Sequence, residues 1–302
     1  MIVVAGENVV DLVPAGDGLL RPALGGGPAN TAIAAAKLGA TVAFAARFGA
    51  DSFGHGFRQR LADAGVDLRY AIDLANPSAL ALATVDAHGV ATYEFWLDGA
   101  ADFASVPFPA TGPEDIRHAG SLAAYWHPGA DDVETWLADR PRLATLDVNL
   151  RPIVLERQGD WRERLARLVA AVDVVKASDD DLRLAYPDLS PEDAARAWLA
   201  ADPARPTLAV VTLGAAGILG LSRDGQCVHV PAMPVTVVDT IGAGDAAMGA
   251  LLARLSERGL DGVLADLDGT LRHAAAAAAL ACTHPGAYAP STAEVAALLD
   301  EM

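Results

Sequence analysis

The sequence predicts an α/β protein with a mostly parallel sheet and helices on both of its faces. Two observations lead there. Short β-branched or apolar runs alternate with alanine-rich helical stretches along most of the chain, an order that calls for crossover connections. Two glycine-rich turns, Leu24-Gly25-Gly26-Gly27-Pro28-Ala29-Asn30 and Thr240-Ile241-Gly242-Ala243-Gly244-Asp245, each run directly into such a helix.

The elements follow in order. Residues 2–5 read as a buried strand and residues 8–24 as a hairpin around Ala15-Gly16-Asp17-Gly18. The first glycine turn opens a helix over 29–38, with Pro28 where a missing N–H costs nothing and Gly39 as its stop. Residues 41–47 read as a strand and 53–64 as a helix capped by Asp51 or Ser52. Strands at 79–85 and 91–97, around Asp86-Ala87-His88-Gly89, then interrupt the βα rhythm. It resumes with strands near 121–125, 143–147, 172–176 and 207–212, and helices between them. Strands at 217–221 and 227–230 precede long helices over 243–257 and 268–281, and the alanine run 274–281 reads as close helix packing.

Composition narrows the function. A 302-residue chain that is 52% hydrophobic buries a large core and is not disordered. No apolar stretch is long enough to span a bilayer, so no membrane association is expected. The first strand lacks the basic region of a signal peptide. Cys227 and Cys282 are too few and too scattered for a disulfide framework or a zinc site, which points to a reducing cytoplasm. A net charge of −17 argues against a nucleic-acid partner. His55, His88, His118, His127, His229 and His273 show no metal-ligand spacing and read as surface or packing residues.

The second glycine turn carries the chemistry. A helix N-terminus presents unpaired N–H groups and the positive end of the dipole, which suits a transferring phosphoryl group. Gly242, Ala243 and Gly244 stand where those amides point outward, and Asp245 stands beside them to accept a hydroxyl proton. The plainer alternative is a tight turn in which Asp245 only complements the dipole. The first turn, far away in sequence, shifts the balance: its glycines let backbone approach a ligand, and Asn30 offers a donor and an acceptor to hydroxyls.

The stretches GGGPANTAIAAAKLGA and DTIGAGDAAMGALLA resemble the paired signatures of the ribokinase-like (PfkB) carbohydrate kinases. The resemblance runs along nearly the whole chain, through Gly6-Glu7, Asp11-Leu12-Val13-Pro14, Asp147-Val148-Asn149-Leu150-Arg151-Pro152, Lys176-Ala177-Ser178-Asp179-Asp180-Asp181, Thr212-Leu213-Gly214-Ala215-Ala216-Gly217 and Thr283-His284-Pro285-Gly286-Ala287. Asp11-Leu12-Val13-Pro14, the Gly-Ala-Ala-Asp at 99–102 and Asn-Leu-Arg-Pro at 149–152 look most like fructokinases within that family. The resemblance implies one ribokinase-like domain over 1–302, a three-layer α/β/α core with a small β lid from residues 8–24, 66–73 and 79–97. It implies ATP and Mg²⁺, with K⁺ as a candidate activator, and a homodimer formed through the lid, whose apolar Leu80, Leu82, Val85 and Phe95 suggest a second layer.

Residue roles follow from the same resemblance. Asp245 is the general base, and Asp11, Gly26, Gly27, Asn30 and Phe95 meet the sugar. Arg151 faces substrate or phosphate in relatives; it would clamp a sugar acid, neutralise the phosphoryl group, or simply pair with Asp147. Asn149, Lys176, Ser178, Thr212, Gly214 and Gly217 are the ATP residues. Where the family shows Asn-x-x-Glu this chain has Ser178 and Asp181; Asp181 would reach magnesium through water, and Ser178 is equally the N-cap of a helix over 179–184. Asp239, Ile241, Ala281, His284 and Gly286 match positions that surround potassium, largely through carbonyls. Only Arg21 and Arg47 lie near the sugar end in sequence, which favours a neutral sugar over a sugar phosphate. The expected activity is an ATP-dependent fructokinase; 2-keto-3-deoxygluconate kinase, ribokinase, nucleoside kinase and a catalytically silent sugar-binding regulator are the alternatives. A dinucleotide oxidoreductase is not expected, because no Gly-x-Gly-x-x-Gly follows the first strand.

Overall fold

A computed structural model describes residues 1–85, 91–139, 142–201 and 205–301. Its first half holds β1 (Ile2–Ala5), β2 (Val9–Pro14), β3 (Leu20–Gly25), α1 (Gly27–Lys37), β4 (Val42–Ala45), β5 (Arg47–Gly49), α2 (Ser52–Asp63), β6 (Ile72–Leu74), β7 (Ala79–Val85), β8 (Ala91–Trp96) and β9 (Ile116–Gly120). There follow α3 (Ala130–Ala138), β10 (Leu143–Asp147), α4 (Pro152–Arg157), α5 (Trp161–Ala171), β11 (Val174–Ser178), α6 (Asp179–Ala185), α7 (Pro191–Ala201) and β12 (Leu208–Thr212). The chain closes with β13 (Ile218–Ser222), β14 (Cys227–Val230), α8 (Ala243–Ala265), α9 (Leu267–Ala281) and α10 (Thr292–Asp300).

Eight strands pair in the order β14-β13-β12-β11-β10-β9-β1-β4. The last six run parallel, while β13 and β14 are antiparallel. The central strands are buried at nearly every position because helices cover both faces. One face packs on α1, α8 and α9 through Phe44, Met248, Leu251 and Leu271; the other packs on α3, α5 and α7 through Leu137, Leu165 and Trp198. This is the expected three-layer core.

A second sheet has the order β3-β2-β7-β8. Residues 8–24 and 79–97 supply it, as the hairpin and alternation signals foresaw; the turn at 86–89, with His88, lies outside the described residues. Residues 66–73, expected to join that sheet, do not. Asp67 donates its amide to Val42 O and accepts from the Phe44 amide (2.9 Å each), and β6 pairs with β5. Free backbone groups along the outer edge of β4 bond this segment and keep it beside the larger sheet. The strand expected at 121–125 is also displaced: β9 stops at Gly120, and Ser121–Ala124 form a 3₁₀ turn with Ser121 left-handed (φ 58°). The run Leu122-Ala123-Ala124-Tyr125-Trp126 is apolar because it is buried, and burial alone does not specify a strand.

Asp102 ties the roots of the smaller sheet together. Its carboxylate accepts from the Asn8 amide (2.7 Å), the Asn8 side chain (3.2 Å) and the Ala79 amide (3.3 Å), at the starts of β2 and β7. Burial pushes this carboxyl up to about 6, and its hydrogen bonds oppose the rise.

Candidate active site

Helices α1 and α8 approach so closely that a side chain at Gly249 would sit 2.5 Å from the Ala34 Cβ. That contact brings the two glycine turns together at the N-terminal ends of the helices. Gly26 is held at φ 104° with no room for a Cβ beside the Glu7 carbonyl (2.6 Å). Gly242 is left-handed (φ 78°), and a Cβ there would meet the Ala287 Cα at 2.8 Å. Both positions require glycine on two counts. Neither helix has a side-chain cap. Ala243 turns its amide back to Thr240 O (3.3 Å), so it is engaged where a free donor was expected. The Gly242, Gly244 and Asp245 amides have no protein partner among the described residues.

The turns meet in one hydrogen bond: Asn30 Nδ2 donates to Asp245 Oδ2 at 2.9 Å. Asp245 is half-buried, and its lost solvation raises its pKa; the Asn30 hydrogen bond and the charges of Lys176, Arg151 and Arg60 pull it back down. Asp11 on β2 stands nearby, its carboxyl pushed up to about 6 by burial and lowered by Arg151 and Arg60. Strand register puts Asp11, Ala23, Ala81 and Phe95 in one row across the smaller sheet. Ala81, on the strand between them, leaves space between the acid and the ring, and Ala23 flanks the acid on its other side. Leu80 and Leu82 lie on the opposite face, so they and Phe95 do not form one apolar layer; the Val85 side chain is outside the described residues.

Arg60 is the residue that sequence reasoning missed. It lies in the last turn of α2, donating Nη2 to Asn30 Oδ1 (2.9 Å) and Nη1 to Leu24 O (2.8 Å). Its helix belongs to neither glycine signature, and chain distance hid it. The two arginines expected at this end are elsewhere. Arg47 is buried against Asp132 and the Val106 carbonyl, and Arg21 is exposed on β3. The cations that act on both Asp11 and Asp245 are Arg60 and Arg151. Arg151 does not pair with Asp147, whose oxygens are taken by Lys176 Nζ at 2.9 and 2.8 Å. Burial raises the Asp147 carboxyl to about 6 despite that partner.

A cavity of about 400 Å³ opens on the other side of Asp245. Asn149, Lys176, Ser178, Thr212, Gly214 and Gly217 line it, together with Ala243, Gly244 and apolar Met233, Val235 and Ala279. Asn149 is left-handed (φ 40°), and its Nδ2 would lie 2.8 Å from a Cβ on Gly27, so it links this cavity to the first turn. Lys176 Nζ would lie 3.4 Å from a Cβ on Gly244, placing a cation beside the second turn. Gly217 (φ 102°) has the Val230 carbonyl where its Cβ would be.

Ser178 and Asp181 form a reciprocal cap of α6: Ser178 Oγ accepts from the Asp181 amide (3.0 Å) and Asp181 Oδ2 from the Ser178 amide (2.7 Å). Asp181 Oδ1 accepts from the Leu150 amide (2.7 Å), which leaves its oxygens one further lone pair each. Asp239 stitches two loops beside Gly242 by accepting from Ile241 (3.0 Å) and Gly286 (2.8 Å) amides; His284 bonds Ala281 O through its backbone amide (3.3 Å) and stacks on Tyr288. No group of three or more His, Cys, Asp or Glu poised for a metal occurs among the described residues.

The chain matches the model of the pfkB family carbohydrate kinases over residues 20–294. It is 36% identical to a fructokinase of Klebsiella pneumoniae over 292 residues, covering 94% of each chain. It is 31% identical to a fructokinase of Salmonella typhimurium, again covering 94% of each. It superposes on the fructokinase of Vibrio cholerae O395 with bound fructose, ADP and calcium at a TM-score of 0.87 and 31% identity, covering 99% of this chain and 98% of that one. Aminoimidazole riboside kinase of Salmonella enterica, complexed with aminoimidazole riboside and an ATP analogue, superposes at 0.84 with 29% identity, covering 99% of each. With an acid, an amide and two glycine turns joined at the mouth of a nucleotide-sized cavity, the chain belongs to the PfkB family of carbohydrate kinases.

Proposed function

We propose that the protein is an ATP-dependent fructokinase. The observation that carries this is the Asn30–Asp245 hydrogen bond, which would join a hydroxyl-binding turn to a phosphate-binding turn at one half-buried carboxylate. The similarity to fructokinases over 94% of the chain supports fructose as the acceptor. Asp11, Asn30 and the backbone at Gly26 and Gly27 hold the sugar, and Phe95 packs beside it. A sugar hydroxyl oxygen attacks the γ-phosphorus, the bond to the ADP oxygen breaks, and Asp245 takes the hydroxyl proton. The free amides of Gly242 and Gly244, with Arg151 and Lys176, stabilise the charge on the transferring group. ATP occupies the cavity lined by Thr212, Gly214 and Gly217.

Magnesium bound with the nucleotide would supply charge neutralisation, and Asp181 would help hold it through water with its spare lone pairs. A potassium ion at the Asp239–Gly286 junction would keep the second turn in shape. The smaller sheet serves as a lid that excludes competing water, within one domain. On its face turned away from Asp11, Trp96 (51%) is exposed beside Leu80, with Leu82 on the same strand and exposed Leu20 (47%) on the far edge strand, which favours a homodimer through the lid. Two free cysteines and no described helix able to cross a membrane accord with the cytoplasm.

An ADP-release screen over fructose, ribose, ketodeoxygluconate, glucose and adenosine tests the reading. Fructose should give the highest kcat/KM, by about tenfold or more. The presence of two arginines around Asp11 favours ketodeoxygluconate as the second reading, since a sugar carboxylate would pair with them. A preference for that sugar acid, or for adenosine, overturns fructose as the substrate.

A further inference from the structure

We propose that Arg60 is a positioning residue: it fixes the amide of Asn30 so that Nδ2, rather than Oδ1, faces the oxygen of Asp245 that takes the sugar proton. This rests on the kinase reading given above. The order of the three groups is forced by their chemistry. A guanidinium only donates, an ionised carboxylate only accepts, and an amide carries one end of each kind. Between Arg60 and Asp245 the amide of Asn30 therefore has one arrangement that satisfies both neighbours. It is the arrangement present, with Arg60 Nη2 on Oδ1 and Nδ2 on Asp245 Oδ2, both at 2.9 Å.

Arg60 is itself held. Its second nitrogen, Nη1, donates to the Leu24 carbonyl at the end of β3, so the guanidinium bridges the smaller sheet and helix α1. One turn earlier on α2, a Cβ at Gly56 would come within 3.2 Å of the Leu24 side chain, so α2 lies close against the same strand. Without Arg60, Asn30 Oδ1 loses its donor and the amide keeps one anchor in place of two, so Nδ2 is held less firmly against the carboxylate and the base loses part of its donor. The same arginine's charge acts on both Asp245 and Asp11, so it links the two acids that bracket the sugar.

The test compares wild type with R60M, R60K and, as a control on the same helix, R58M, since Arg58 pairs only with exposed Asp73 and covers the Phe48 ring. In R60M, kcat for fructose should fall about 10- to 100-fold while KM changes by less than about threefold. The acid limb of kcat against pH should move upward by about one pH unit, because a nearby cation is gone. R60K keeps the charge, so its limb should stay near wild type. Its kcat should remain depressed, because one ammonium does not hold Leu24 O and Asn30 Oδ1 in the same fork. R58M should match wild type. The ¹³C titration of the Asp245 carboxyl, assigned by its absence in D245N, should show the same upward movement in R60M without any turnover.

A loss of kcat that is uniform across pH, with the ¹³C titration unmoved, would mean Arg60 only supports the fold and would overturn the proposal. An R60M enzyme with wild-type kcat would do the same. Wild type that phosphorylates no sugar would defeat the kinase reading instead, and the ¹³C titration would still decide the role of Arg60. Should R60M fail to fold by circular dichroism, R60K and R60Q carry both measurements.

Discussion

The two glycine turns look alike in sequence and differ in what their first helical turn contributes. Both precede helices that lack side-chain caps, and both hold a glycine at positive φ against neighbouring backbone. The turn before α1 has no acid in its first helical turn and offers an amide; the turn before α8 carries Asp245. The first sits under the smaller sheet, with Asp11 and Arg60 about it, whereas the second faces the 400 Å³ cavity with Lys176 beside it. In the proposed reading one local device, an open helix N-terminus made by glycine, serves a polyol on one side and a phosphate on the other, and the neighbours brought by distant elements decide which.

The comparison breaks most sharply at Asp245. D245N should lower kcat by about three orders of magnitude with ATP binding nearly intact, read by the ADP-release assay and by calorimetry with nucleotide. Next come the glycines. G242A meets Ala287 and a left-handed φ, and should cost about 1–3 kcal/mol of stability and act mainly on kcat and on the KM for ATP. G26A meets the Glu7 carbonyl and should act mainly on the KM for fructose. Equal effects of the two on both substrates would dissolve the division of labour.

A smaller effect separates the two acids by pH. Burial raises the Asp11 carboxyl to about 6, so it is ionised at pH 7 and protonates as pH falls through about 6. It then loses acceptor capacity, and the KM for fructose should rise below that pH while the KM for ATP stays level; initial rates across pH 5 to 8 check this. The smallest is ionic. Rates in potassium should exceed those in a tetraalkylammonium salt, through kcat more than through the KM for fructose, because the candidate cation site adjoins the second turn only. Identical rates in the two salts would remove potassium.

Much of this was legible beforehand for a physical reason. Helix starts, glycine stops and strand alternation are set by residues within a few positions of each other, so α1, α2 with its Asp51 cap, β10, β14 and the Ser178 cap of α6 were readable locally. The apolar run after Gly120 was not, because burial looks the same in a strand and in a 3₁₀ turn. Charge partners were the least readable. Proximity in the chain left a pair with Asp147 open as one of three roles for Arg151, yet Lys176, one strand over, takes that acid. Arg47 was set at the sugar end and is buried against Asp132.

From the residues alone came the α/β class, the two open helix ends, the candidate base and the likeness to carbohydrate kinases. All of these rest on short-range order and on motifs contiguous in the chain. Only the folded chain could decide that Asn30 meets Asp245 across 215 positions, that Arg60 stands behind that amide, and that residues 66–73 stay with the core. Hydrogen bonds and ion pairs act over about 3 Å in space, and the distance along the chain does not enter them.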